Sequence, residues 1–285
     1  VSAAEVDLGL PQMGTVHHVR VAGRDTRYLE VGEGPPILLV HGWIGSAENF
    51  HKWIPALEGR RKMIIPDLPG FGETPALAGE HSIAALAAFL EAFASAIELE
   101  MFDLGGLCLG GTVALELARR DPQRMRQLVL HTPIYSRDAL STSFRLQTAL
   151  ATNRVVFSAA SSLARNRRVS DLYKRYFVEG PNVDQFDARV NFVNQVRASP
   201  RAAREWLSDA LRQDYQAWLL TWEQPVLMVV AEDDSILDMA AMQRLTEQMQ
   251  TAEVVIVPEA GHGWTDALVR AQAAAISGFL SKDPI

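Results

Sequence analysis

The stretch from Phe102 to Arg120 narrows what this chain can fold into more than any other. It opens with Phe102-Asp103-Leu104-Gly105, a short apolar run that reads as a buried strand. It closes with Val113-Ala114-Leu115-Glu116-Leu117-Ala118-Arg119-Arg120, rich in helix formers and stopped by two arginines and Asp121-Pro122. Between them lies Gly106-Leu107-Cys108-Leu109-Gly110-Gly111-Thr112. A Gly-x-Cys-x-Gly turn between strand and helix holds its central residue in a strained conformation that only small neighbours permit. The central side chain then stands off the sheet at the start of the next helix, where backbone N–H groups favour developing negative charge. Cys108 is the only cysteine in 285 residues. A lone cysteine is ordinarily a small core residue, but within this turn it reads as a nucleophile.

The rest of the chain repeats the alternation of strand and helix. Val16 to Val21 and Thr26 to Val31 read as strands joined around Gly23-Arg24-Asp25. Ile37 to Val40 is continuously apolar, the mark of a strand buried on both faces, and it runs into His41-Gly42-Trp43-Ile44-Gly45-Ser46. Asn49 to Leu57 has helical spacing, with Phe50, Trp53, Ile54 and Leu57 on one face. Met63 to Ile65, Gln127 to Leu130, Pro225 to Ala231 and Val254 to Val257 are further strands, and Ser82 to Ile97 and Asp266 to Leu280 are helices. Such alternation predicts an α/β fold with a mostly parallel, doubly wound sheet whose ligands lie beyond the carboxyl ends of the strands.

From Ile134 to Trp222 the alternation stops and only helical patterns appear, as in Val190 to Val196 and Ala202 to Leu211. We read 134–222 as an inserted helical cap after the sixth strand, with residues 1–133 and 223–285 as the core. The insert holds thirteen Arg and Lys against eight Asp and Glu, a balance of +5, so the remainder carries −12 of the total −7. The basic run Arg165-Asn166-Arg167-Arg168 reads as a solvated helix face or as an attractor for an anionic substrate, a phosphopantetheine arm or an acidic carrier protein.

Together these motifs resemble the α/β-hydrolase superfamily over nearly the whole chain. The superfamily turn usually carries serine. The Gly-x-Cys-x-Gly-Gly version resembles dienelactone hydrolases and polyhydroxyalkanoate synthases, although the chain is too short for the latter and its long insert is unlike the former. The nearer likeness is to capped esterases, thioesterases and C–C bond hydrolases. The resemblance implies an eight-stranded, mostly parallel sheet with helices on both faces. It implies that the backbone N–H groups of Trp43 and Leu109 form an oxyanion hole. Glu232-Asp233-Asp234 follows the seventh strand, where the triad acid belongs; alignment favours Asp234, with Asp233 the rival. Pro258-Glu259-Ala260-Gly261-His262-Gly263 resembles the loop around the catalytic histidine, making His262 the base. Asp67 and the glycines of Asp67-Leu68-Pro69-Gly70-Phe71-Gly72 read as structural. Ile44, Tyr135 and Trp264 are expected in the substrate pocket, and the Trp43 indole lines the acyl site or packs in the core.

The implied activity is acyl hydrolysis or acyl transfer on an ester, thioester or lactone, through a Cys108–His262–Asp234 triad and an acyl-thioester. C–C bond hydrolysis next to a carbonyl and a non-catalytic ligand-binding or receptor role are the alternatives. Acyl-CoA and acyl carrier protein suit the basic insert as substrate carriers. No cofactor or metal is called for: the loops lack phosphate and dinucleotide fingerprints, and His17-His18 alone makes no metal site. A net charge of −7 argues against nucleic acid. The start of the chain reads as no secretory signal, no stretch is long enough to span a bilayer, and a single cysteine fits a reducing cytoplasm.

Overall fold

The computed structural model describes residues 13–169, 172, 185–262 and 266–282. Eight strands form one sheet: β1 (Thr15–Val21), β2 (Arg24–Val31), β3 (Pro36–Val40), β4 (Lys62–Pro66), β5 (Phe102–Leu107), β6 (Met125–His131), β7 (Val226–Ala231) and β8 (Ala252–Val257). Their order across the sheet is β1-β2-β4-β3-β5-β6-β7-β8. The pairs β1–β2 and β2–β4 are antiparallel and the rest are parallel. This is the eight-stranded, mostly parallel arrangement that the resemblance implies.

Continuous apolar strands make sense once the two faces are separated. In β3, Leu38 and Val40 enter one core while Ile37 and Leu39 enter the other. Successive side chains of a strand point to opposite faces, so a strand covered on both sides must be apolar throughout. Leu128 and Leu130 of β6 likewise join the first core and Val129 the second. Helices α2 (Ile83–Ala96) and α3 (Leu109–Arg120) cover the first face. Helices α1 (Ile54–Leu57) and α10 (Asp266–Leu280) cover the second. One acid lies within β5: Asp103, fully buried, accepts from Arg61 Nε at 2.6 Å and Arg126 Nε at 3.1 Å. Charges on both its oxygens make that burial tolerable.

Between β6 and β7 the described residues form α4 (Thr142–Ala151), α5 (Arg154–Ala164), α6 (Gln185–Arg197), α7 (Pro200–Ala210) and α8 (Gln216–Leu219), with no strand among them. Helix α9 (Met239–Thr246) lies between β7 and β8. Helix α7 buries Ala202, Ala203, Trp206, Leu207 and Ala210 against the first core.

The Asn49–Leu57 helix inferred from periodicity is not continuous. A 3-10 turn over Ala47–Phe50 and the single turn of α1 replace it. Pro55 explains the break: without an N–H it cannot bond the carbonyl of His51 four residues back, so it sits in the first turn of a new helix instead of continuing the old one. The apolar face survives: Phe50, Trp53 and Leu57 are all buried.

Candidate active site

The sheet order explains why residues far apart in sequence meet. Strand β3 is flanked by β4 on one side and β5 on the other, so the chain winds away in both directions from that point. Such a switch point leaves a crevice at the carboxyl ends of the two strands. Val40 pairs with Gly106 across it, so the His41–Gly45 loop and Cys108 emerge side by side. Strands β6, β7 and β8 follow in order, and Asp234 and His262 leave the same edge after β7 and β8.

Cys108 occupies the N-cap position of α3 with φ 51° and ψ −118°, a region that L residues rarely adopt. Its neighbours hold it there. The Cys108 N–H donates to the carbonyl of His131 at 2.9 Å, and its own carbonyl accepts from Gly111 at 2.9 Å. The glycines permit the approach. A Cβ on Gly106 would lie 2.7 Å from the Cα of Gly111, and one on Gly110 would collide with the carbonyls of Val40 and His41. Any side chain at Gly110 would therefore push α3 away from the end of β3.

The loop after β3 is fixed from within. His41 is fully buried; its Nδ1–H donates to the Gly42 carbonyl at 2.8 Å and its Nε2 accepts from the Leu68 N–H at 3.0 Å. Those partners require a neutral ring, and burial pushes its pKa down to about 4. The Gly42 carbonyl also accepts from Gly45 at 3.0 Å, while Ile44 is held at φ 53°, a strained position for a β-branched residue. Trp43 thus stands on a braced loop. Its indole N–H donates to the Ala203 carbonyl of α7 at 2.8 Å, and its ring lies 6.1 Å from that of Phe157 in α5. Leu109 is the first residue of α3, and no side chain caps that helix. Its N–H is one of those a helix cannot satisfy internally.

Asp234 is buried, whereas Asp233 is exposed. Asp234 Oδ1 accepts from the N–H groups of Ile236 at 2.7 Å and Leu237 at 3.1 Å. Its Oδ2 accepts from His262 Nδ1 at 2.8 Å. Burial opposes the carboxylate, but His262 and the two N–H donors outweigh it and hold its pKa below the ordinary value. His262 is shifted the other way. Burial disfavours its charged form, yet Asp234 and the Cys108 side chain, both charge and hydrogen-bond partners, raise its pKa well above the usual value. With Nδ1 on Asp234, Nε2 is the nitrogen left for the thiol.

His131, the last residue of β6, belongs to the same neighbourhood. It is buried, its pKa is driven down to about 3 by burial and by the charge of His262, and Asp234 pulls it up only in part. It therefore stays neutral beside the ion pair. No sequence signal marks it: only the register of the folded sheet, which pairs His131 with Leu107, the residue before Cys108, brings it there.

The expected pocket residues separate. Ile44 is on the braced loop. Tyr135 is 2% exposed and its hydroxyl donates to the Ala241 carbonyl of α9 at 3.0 Å, so its polar end serves the core and is unavailable to a substrate. Trp264 lies outside the described residues. Asp67 is buried and structural: it accepts from Ala47 N–H, Glu73 N–H and Arg27 Nη1 at 2.9–3.0 Å. Among the described residues there is no cluster of metal-ligating side chains, and no helix is long and apolar enough to cross a membrane.

Comparison with known proteins gives concordant matches. The family model described as alpha/beta hydrolase fold matches residues 35–263. A 2-hydroxy-6-oxo-2,4-heptadienoate hydrolase of Pseudomonas putida strain F1 is 28% identical over 253 residues, covering 86% of this chain and 88% of that protein. A pimeloyl-[acyl-carrier protein] methyl ester esterase of Neisseria meningitidis serogroup C is 27% identical over 226 residues, covering 79% and 86%. Among solved structures, a haloalkane dehalogenase from Agrobacterium tumefaciens C58 superposes with a TM-score of 0.77 at 19% identity, covering 94% of this chain and 96% of that one.

Proposed function

Because this chain belongs to the α/β-hydrolase family, we propose that it is an acyl hydrolase or acyltransferase acting on an ester, thioester or lactone through Cys108. One observation carries the reading: a cysteine at the strained head of α3 shares His262 with a buried carboxylate 2.8 Å from the ring.

His262 takes the thiol proton, and Asp234 holds its tautomer and stabilises the imidazolium. The thiolate sulfur bonds to the substrate carbonyl carbon. The oxyanion that forms is met by the N–H groups of Trp43 and Leu109, an arrangement worth several kcal/mol of barrier in such sites. The carbon–heteroatom bond breaks, and His262 gives its proton to the leaving group. Water or an alcohol or amine acceptor then attacks the thioester, yields a proton to His262, and releases the acyl group as Cys108 recovers its proton. A thioester stays reactive toward amines and alcohols, so this cysteine is compatible with transfer as well as hydrolysis.

In this reading the helices between β6 and β7 are a cap over the site. The Trp43 contacts with α5 and α7 support that, since they join those helices to the oxyanion loop. C–C bond hydrolysis is the second reading, favoured by the heptadienoate hydrolase relative.

Incubation with p-nitrophenyl acetate and short acyl-CoA, followed by intact-mass measurement, tests the proposal. We expect an acyl adduct that vanishes in Cys108→Ala and forms about 10²–10⁴-fold more slowly in His262→Ala. Undiminished turnover by Cys108→Ala would overturn the assignment.

A further inference from the structure

The first turns of α5 and α7 break a general rule. A helix N-terminus carries partial positive charge, and acids are favoured there while bases are not. Neither helix has an acid in its first turn. Instead Arg154 is the first residue of α5, and Arg201 is the second residue of α7, with Arg204 one turn along. These helices face one another, and the three arginines line a cavity of about 290 Å³ together with Phe157, Ser158 and Glu205.

The charges in it are unequally engaged. Arg201 donates to the carbonyls of Leu77 and Ala78. Glu205 is committed to His81, through Nδ1 at 3.0 Å and the backbone N–H at 3.1 Å, leaving a loose 3.8 Å contact to Arg204. Arg154 is exposed and its guanidinium makes no hydrogen bond or ion pair among the described residues. Three arginines near the starts of two helices, whose N-terminal ends Asn153 and Ser199 cap, thus line a cavity with one acid, already occupied. The inner wall is shared with the reaction centre: Phe157 packs on the Trp43 ring, and Trp43 donates to Ala203, next to Arg204.

We propose that this cavity is a subsite for an oxyanion group, carboxylate or phosphate, on the part of the substrate remote from the reacting carbonyl. The specificity claim rests on the acyl-hydrolase reading above; the anion site itself does not. Planar guanidinium forks suit both groups, and a hydroxyl at Ser158 adds a donor. Net positive charge over the insert would draw such substrates in from solution.

Two measurements keep the two claims apart. Titration with glutarate and with inorganic phosphate, followed by calorimetry and thermal shift, reads the site without turnover. We expect saturable binding of at least one anion, weakened about tenfold or more in Arg154→Gln and Arg204→Gln and further in Arg154→Glu, with folding verified by circular dichroism. Absence of saturable binding, or equal binding by all variants, overturns the site. The second compares kcat/KM for p-nitrophenyl butyrate, p-nitrophenyl hydrogen glutarate and butyryl-CoA. The ratio of anionic to neutral ester should fall about tenfold in Arg154→Gln, mainly through KM, and lose its salt dependence. A loss confined to the glutarate ester identifies a carboxylate, and one confined to butyryl-CoA a phosphate. Unchanged ratios overturn the role in specificity, whereas a wild type that binds anions but turns over no ester refutes the acyl-hydrolase reading alone.

Discussion

The crossing of β3 and β5 and the helices between β6 and β7 are built on opposite terms. At the crossing every neighbour is fixed: Gly110 lies against the carbonyls of β3, His41 is locked at both nitrogens, and strain at Ile44 and Cys108 is held by buried surroundings. The helical stretch is looser in its chemistry. Leu146, Val155 and Leu163 of α4 and α5 are 61–78% exposed, whereas α7 is anchored by its buried apolar face and by polar contacts such as Trp43 to Ala203 and His81 to Glu205. The difference teaches where tolerance lies. A reaction centre must keep its atoms within a fraction of an ångström, whereas a surface that meets substrate needs only the right charge and shape.

Gly110→Ala should break the comparison most sharply if it is wrong. Its new methyl meets rigid backbone, so we expect destabilisation of more than about 4 kcal/mol, or no soluble protein, in urea denaturation. An alanine variant of near-native stability would show that the crossing is not tightly packed.

Acid should act on the same region with a smaller effect. His41 and His131 are neutral and buried, with pKa values lowered to about 4 and about 3. Their unfolded forms bind protons below about pH 6.5, so the stabilisation present above that pH is lost as pH falls toward the native values, roughly 3 kcal/mol for His41 alone. His262 has the opposite sign: its raised pKa stabilises below its ordinary value, and that contribution disappears as pH rises through the native value. Buried Asp67, raised to about 6, opposes this as pH falls, but one carboxyl does not offset two imidazoles, so unfolding free energy measured from pH 7 to 4.5 should slope downward with acid; a level profile would contradict the burial of these rings. Val155→Ser, on the exposed face of α5, should alter stability by no more than about 0.5 kcal/mol in the same assay.

The order of strands and helices was readable because apolar runs, helix formers and Gly-Pro punctuation act locally. So was the turn around Cys108, since the demand for glycine on both sides is a backbone property of adjacent residues. The Asn49–Leu57 helix misled because apolar spacing persists through the break between Phe50 and Ile54. His131 and Tyr135 could not be placed from sequence, because one is defined by its pairing with Leu107 across the sheet and the other by a carbonyl in α9. Alignment from Ala231 favours Asp234 over Asp233, and the structure turns the Asp234 carboxyl inward to His262; the convergence of Arg154, Arg201 and Arg204 on one cavity had no such signal. Sequence by itself determined the local geometry and the chemical types available. Only the tertiary structure decided which of those groups meet, because contacts between residues two dozen or more positions apart depend on how strands pair and helices pack, and no local pattern records that.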